Sequence, residues 1–335
     1  MAIVISKNSG LNDDFWKPTA QIVNAVLKDA DSEKTEYDKL VSDITIEKKS
    51  KKYAEKQTSV TALSNFEITP EGDTAPLDDV QEGTPKLIIH SQFMKELHIT
   101  AEMVEDDQTD AIKSAATNFV NAYKRSRCQF ATNFISAEGA TFSFGSKTGL
   151  DRSTGDGKGL FATDHTSVKA NVAAQSNVFT NHFSADILIR LASIGRNFKN
   201  ESGIVTGYAF NKIIIPGNAW KLEEIIKRLI ETDRVIASNN NDINTQRNKW
   251  TLVVDPLWET TEADTAEAPF ILMSDEANKA YNGTVFYDRI GLDMKNEVDI
   301  HSRNLIYNGR ARMSVGAYNW RHVIMGGASV GTNLT

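Results

Sequence analysis

The sequence predicts an α+β protein with an unusually long β-hairpin ahead of an unusually long helix. Three patterns point there. Residues 85–100 alternate, with Leu87, Ile89, Phe93, Leu97 and Ile99 on one face and His90, Gln92, Glu96 and His98 on the other; that is the period of a half-buried strand. Residues 107–137 place Ile112, Ala115/Ala116, Phe119/Val120, Tyr123, Phe130/Ala131 and Phe134 three and four apart, the stripe of a single helix. Beyond residue 181, amphipathic segments alternate with short apolar runs, as in an α/β unit.

In order along the chain, residues 1–14 are polar and irregular. Asp13 or Asp14 caps a helix starting near Pro18, whose apolar side is Ile22, Val23, Val26 and Leu27. Residues 28–52 are dense in charge, and Lys48, Lys49, Lys51 and Lys52 read as a solvated face before a strand, with a nucleic-acid patch as the alternative. The stretch 1–52 is thus an arm, partly helical, with little core of its own.

The hairpin follows. At about 3.3 Å per residue, 85–100 would reach on the order of 50 Å, against roughly 17–20 Å for an ordinary strand. Residues 56–68 form the other leg, with Val60, Ala62, Phe66 and Ile68 in phase. The tip, 70–85, holds the turn formers Pro70, Gly72, Pro76, Gly83 and Pro85. It carries Glu71, Asp73, Asp78, Asp79 and Glu82, with no Lys or Arg. A lone two-stranded ribbon is marginal in water, so this one needs a further surface to cover its apolar face.

The long helix is capped by Asp107 or Thr109 and ends before Gly139, a rod of roughly 45 Å. Lys124, Arg125 and Arg127 crowd its second half. Residues 138–181, rich in Gly, Ser, Thr and Asn, predict loops and short strands. Ser184 caps a helix with Ile187, Leu191, Ile194 and Phe198 in phase; 212–215 is a strand stopped by Pro216; a second helix runs from 218 to about 231. After a polar loop at 232–249, strands are expected at 250–254, 270–273, 284–287, 297–301, 305–315 and 319–325.

The 335 residues suffice for about two domains, and 40% hydrophobic with 24% charged residues is ordinary globular material. The net charge of -7 speaks against a dedicated nucleic-acid-binding module, yet suits a protein lying beside packed nucleic acid without sticking to it. The single cysteine, Cys128, excludes an intrachain disulfide. Residues 1–6 lack the basic region and apolar length of a signal peptide, and no stretch approaches 18 apolar residues. The expectation is synthesis and folding in a cytosol, with no membrane partner.

No catalytic signature emerges. Residues 151–159, DRSTGDGKG, match neither the phosphate loop nor the calcium loop, whose sixth-position glycine is here Asp156; they read as a flexible surface turn. Asp164 and His165 are adjacent and cannot orient each other as a dyad. The histidines at 90, 98, 165, 182, 301 and 322 lack metal-ligand spacing. Cys128 reads as an inert packed residue. Catalytic, cofactor and metal sites are all expected to be absent, and the chain is not expected to be an enzyme.

The order of arm, hairpin, long helix, Gly-rich region, α/β unit and returning strands resembles the major capsid proteins of tailed bacteriophages, the Hong Kong 97 fold. Residues 159–167, GLFATDHTS, are similar to a stretch in Mu-like major head subunits. Ile213-Ile214-Ile215-Pro216, Ile225-Ile226, Asn239-Asn240-Asn241 with Asn244, and Leu252-Val253-Val254-Asp255-Pro256 follow that group's order and approximate spacing. The resemblance spans most of 50–325. It implies an N-terminal arm at 1–49, an extended E-loop at 50–103, a P-domain at 104–180 with its spine helix at about 107–137, and an A-domain at 181–285. Strands would return through the P-domain at 286–317 and finish in the A-domain at 318–335. It further implies hexamers and pentamers closing into an icosahedral shell around double-stranded DNA, in a virion built in a bacterial host's cytoplasm. Portal, scaffold or decoration proteins would be further partners, and no cofactor is implied.

From this follows an expected inter-subunit contact. The acidic tip (Glu71, Asp73, Asp78, Asp79, Glu82) meets Lys124, Arg125 and Arg127 of a neighbour's helix, setting register more than strength. The alternative is a tip that is simply solvated. Two other classes stay open: a tail tube or sheath subunit, and a soluble enzyme whose site would lie in the Gly-rich 145–159 loop.

Overall fold

The structure, a computed structural model, describes residues 4–5, 16–63, 65–75, 77–78, 80–106, 108–169, 172–233, 243–299 and 301–334. Among the residues named above, Asp13, Asp14, Pro76, Asp79, Asp107, Asn239, Asn240 and Asn241 lie outside these. The elements are β1 (Val4–Ile5), α1 (Trp16–Ser32), α2 (Glu36–Ile44), β2 (Ile46–Lys49), β3 (Ala54–Gln57), β4 (Lys86–Ile89), β5 (Ser91–Ile99), α3 (Ala101–Glu105) and α4 (Thr109–Ser136). There follow β6 (Thr141–Phe144), β7 (Lys147–Asp151), α5 (Ala185–Arg196), β8 (Lys212–Pro216), α6 (Trp220–Glu231) and β9 (Thr251–Asp255). The last are β10 (Phe270–Met273), α7 (Asp275–Tyr281), β11 (Thr284–Val298), β12 (Leu305–Ala317) and β13 (Val323–Gly326).

The chain divides into two compact units: Met1–Glu55 with Ile88–Ala131 and Phe286–Val315, and Lys56–Leu87 with Thr132–Val285 and Gly316–Thr335. The first unit is built on a sheet ordered β1-β11-β12-β5, with β2 also paired to β11. β5 and β12 run antiparallel from Leu305↔Ile99 to Met313↔Ser91. One sheet face, through Ile99, Leu292, Met294, Leu305 and Tyr307, shares a core with α1 and α4. On α1 that core takes Trp16, Ala20, Val23, Leu27 and Ala30, spaced four and three apart; on α4 it takes Ile112, Ala116, Phe119 and Val120. Gly309 permits the close approach, since a Cβ there would lie 2.7 Å from the Phe119 ring. Trp16, Val23 and Leu27 are therefore part of the unit's core rather than of an arm with little packing. Leu40, Val41 and Ile44 of α2 are buried too, on a helix whose first turn is fixed by Thr35 N donating to Asp38 Oδ2 at 3.0 Å.

The second unit centres on a sheet ordered β13-β10-β8-β9. β8 and β9 are parallel and the other pairings antiparallel. All of β10 and β13 and nearly all of β8 are buried, as unbroken apolar runs require. Ser184 and Ser274 cap α5 and α7 by accepting from Ile187 N at 3.2 Å and Ala277 N at 3.3 Å.

Here the expected surface turn at 151–159 proves to be anchored. Arg152 is fully buried. Its guanidinium closes the C-terminal end of α4, donating to Phe134 O, to Gly139 O at 2.8 Å and to Ile135 O at 3.2 Å. Burial pulls it down to about 9, a direction nearby Glu138 opposes. Asp156 bonds His165 Nδ1 at 2.7 Å, and His165 Nε2 lies 3.2 Å from Asn177 Oδ1. The imidazole stacks on Trp320 at 4.3 Å and 9°. His165 is thus held by residues from other segments, while Asp164 pairs with Lys158.

The strands of the expected ribbon also differ. The run 85–100 is two strands broken at His90: β4 pairs with β3, and β5 joins the sheet beside β12. The leg at 56–68 is strand only to Gln57, with one isolated bridge at Val60↔Glu82. The ladder with β12 supplies partners along all of β5, which a local hairpin would have had to match. The break has its own cause. His90 is buried between Ser50 Oγ at 3.1 Å and Ser314 Oγ at 2.9 Å, so the inward parity of Lys86, Ile88 and His90 gives way to that of Phe93, Leu97 and Ile99. Finally, the strands expected at 284–287 and 297–301 begin and end one continuous β11.

Candidate assembly surface

The segment between β3 and β4 is tied down at its root. Thr61 N donates to Gln81 O at 2.9 Å and Gly83 N to Ser59 O at 2.8 Å. Tyr318 Oη donates to Thr84 O at 3.0 Å and lies 3.0 Å from Ser59 Oγ, so one phenol clamps both legs. A Cβ at Gly83 would sit 2.5 Å from Ser59 Oγ and 2.7 Å from Tyr318 Oη, so any side chain there would displace the clamp. Lys86, held below the ordinary lysine range by burial, donates to Ser153 O and lies 3.4 Å from Asp151.

Beyond this root Ser202 Oγ donates to Ala62 O, but several described apolar side chains of the loop are bare. Phe66, Ile68 and Leu77 have relative exposures of 107%, 103% and 100%, and Val60, Leu63 and Val80 are also exposed. Apolar side chains bare to that degree and gathered in one loop make it the candidate interaction surface. Among the acidic tip residues, Glu71, Asp73 and Glu82 are exposed. Asp78 lies 3.7 Å from Lys169 of its own chain.

The three expected basic partners are not equivalent. Lys124 is buried; its Nζ donates to Ala30 O at 2.9 Å and to Glu33 O and lies 3.6 Å from Asp38. Arg127 pairs with Asp288 at 2.7 Å and with Glu47, 3.6 Å from Asp38. Burial opposes its charge, but Asp288 and Glu47 outweigh burial and raise it. Burial in turn lifts the Asp288 carboxyl, against the pull of Arg127. These two cations join α1, α2 and β2 to α4 and β11, leaving Arg125 as the exposed member of the trio. Their spacing on the helix gave no sign of this, since their carboxylate partners come from distant segments.

The other titratable candidates are built into the fold. His322 is buried between Thr284 Oγ1 at 2.8 Å and Asn319 O at 2.9 Å, and burial pushes it down to about 3. Cys128 is buried. Among the described residues there is no group of His, Cys, Asp and Glu able to hold a metal, and no helix is long and apolar enough to cross a membrane.

No family model and no curated protein matches the sequence. Solved structures do match it. The capsid of a native GTA particle superposes with a TM-score of 0.56 at 10% identity, covering 88% of this chain and 90% of that one. The capsid of Ralstonia phage GP4 gives 0.54 at 11%, covering 84% and 86%. A chain from Mycobacterium phage Patience gives 0.53 at 9%, covering 99% and 95%. The chain therefore has the mixed α+β fold of phage capsid proteins.

Proposed function

We propose that this chain is a major capsid protein that self-assembles as hexamers and pentamers into an icosahedral shell around double-stranded phage DNA. The bare loop supports this reading most directly. Burying Phe66, Ile68 and Leu77 against a neighbour would contribute about 5–9 kcal/mol per subunit, at roughly 1.5–3 kcal/mol for each side chain. The likeness in fold to capsid chains, over most of both lengths, supports it as well.

On this reading residues 1–49 are the arm, 50–103 the extended loop, and 104–180 the P-domain with α4 as its spine. Residues 181–285 and 318–335 make the A-domain, and 286–317 return through the P-domain. The role is structural, in a virion assembled in a bacterial host's cytoplasm, with portal, scaffold or decoration proteins as further partners. Electron microscopy of the purified chain tests this: closed shells with five- and six-fold clusters are expected. Open filaments would point to a tube or sheath subunit, and a small monodisperse oligomer to neither; each result would overturn the proposal.

A further inference from the structure

The core of the first unit uses one face of its sheet, through Ile99, Leu292, Met294, Leu305 and Tyr307. Residues of the other parity point away from that core. There stand Arg289 on β11 and Arg310 and Arg312 on β12, with Met94 and Gln92 of β5 directly across from the last two. Arg289 and Arg312 are close enough to His90 to lower it, adding to the larger effect of burial.

These arginines make no ion pair among the described residues, although Glu55 shares the neighbourhood of His90 with Arg289 and Arg312. Among the described residues no carboxylate lies within ion-pair distance of any of the three, whereas Arg127, Arg228, Arg247 and Arg321 are all paired. Arg289 Nη1, Arg310 Nε and Arg312 Nε are shielded from water and make no hydrogen bond. Shielded donors without acceptors are unfavourable, and a cluster of three is unexpected in a chain of net charge -7. The same chain holds the complement. Residues 57–85 contain six carboxylates and no Lys or Arg, and Glu71, Asp73 and Glu82 are exposed.

We infer that this arginine-bearing sheet face receives the acidic loop of a second copy of the chain, with Arg289, Arg310 and Arg312 facing Glu71, Asp73 and Glu82. The inference rests on the shell-subunit reading and names the receiving surface, which is the sheet face opposite the α1/α4 core and not the helix carrying Lys124, Arg125 and Arg127. Planar guanidinium forks suit carboxylates. Met94, 57% exposed beside Arg310, offers an apolar contact for the bare loop side chains.

A charge swap tests it. R310E/R312E and E71R/D73R are each expected to raise the concentration needed for assembly by about tenfold or more, and the two pairs combined to restore most of it. A synthetic peptide of residues 57–85 is titrated in parallel onto the unassembled chain. It should bind the wild type in a salt-sensitive way and bind R310E/R312E at least about tenfold more weakly. The milder R310Q/R312Q should show the same order, which guards against misfolding of the Glu pair. Assembly by R310E/R312E at wild-type concentration, or no recovery in the combined variant, overturns the pairing. So do normal shells that only lose their DNA, which would assign the face to phosphate. Peptide binding supports the pairing even if no closed shell forms, so the failure of the shell reading and the failure of this one are told apart.

Discussion

Replacing Phe66, Ile68 and Leu77 together by Ser separates subunit stability from assembly. All three side chains are fully exposed in the folded chain, at 107%, 103% and 100%, so the subunit loses no internal contacts. Exposed substitutions of this kind change stability within about 0.5 kcal/mol, and the urea midpoint of the unassembled chain should not move. On the proposed shell reading these side chains would be buried against a neighbour, and their loss would remove about 5–9 kcal/mol per subunit, at roughly 1.5–3 kcal/mol for each side chain. Since about 1.4 kcal/mol is a factor of ten, the concentration at which light scattering detects particles should rise by about three decades or more. The readouts are urea unfolding by fluorescence, light scattering against concentration, and electron microscopy of the product. Wild-type assembly by the triple variant would refute the reasoning. A large drop in subunit stability would also refute it, because the loop would then be packed on its own chain.

Arg152→Met leaves the last carbonyls of α4 without their donors; urea unfolding should show a loss of about 3 kcal/mol, with Arg152→Lys recovering only part. Two acid-side windows follow from buried groups. Burial alone would lift the Asp156 carboxyl, but bonds from His165 and Thr154 outweigh it and hold it at about 2. Its contribution stands above the unfolded value near 3.9 and is lost as pH falls from about 4 to about 2, so Asp156→Asn should flatten stability there. His322, held neutral at about 3 by burial, binds its proton more readily when unfolded. Stability therefore falls as pH drops from about 6.5 to about 3, and His322→Gln should flatten that window in pH-dependent melts. Tyr318→Phe removes the clamp on Ser59 and Thr84. Limited proteolysis within 58–85 should then speed up roughly fivefold, with little change in the global midpoint.

Element types were legible wherever one periodicity ran unbroken. The stripe from Ile112 to Phe134 is α4, Ser184 is a cap, and the apolar run at 270–273 is β10 with the same bounds. Ile290, Leu292 and Met294 alternate with Arg289, Asp293 and Lys295, and that alternation carries β11 continuously between the two expected strands. The basic face on β11 and β12 could likewise be found from Arg289, Arg310 and Arg312 sharing one parity. The His165 site had no such trace, because Asp156, Asn177 and Trp320 reach it from three separate segments.

The sequence by itself determined an α+β chain, a buried long helix, and a carboxylate-rich loop with apolar side chains and no basic residue. These depend on residue type and short-range spacing, which a linear reading contains. Only the tertiary structure decided that β5 pairs with β12 and not with its neighbour in sequence, that Lys124 and Arg127 are consumed within the chain, and that Arg289 Nη1, Arg310 Nε and Arg312 Nε are shielded from water without a hydrogen bond among the described residues. The physical reason is that ladder partners and ion pairs are selected by distance in space. A strand's backbone donors accept any segment that the rest of the fold brings within 5 Å or so, and a cation's neighbours are set by which chains cross it. Neither quantity is written in local periodicity.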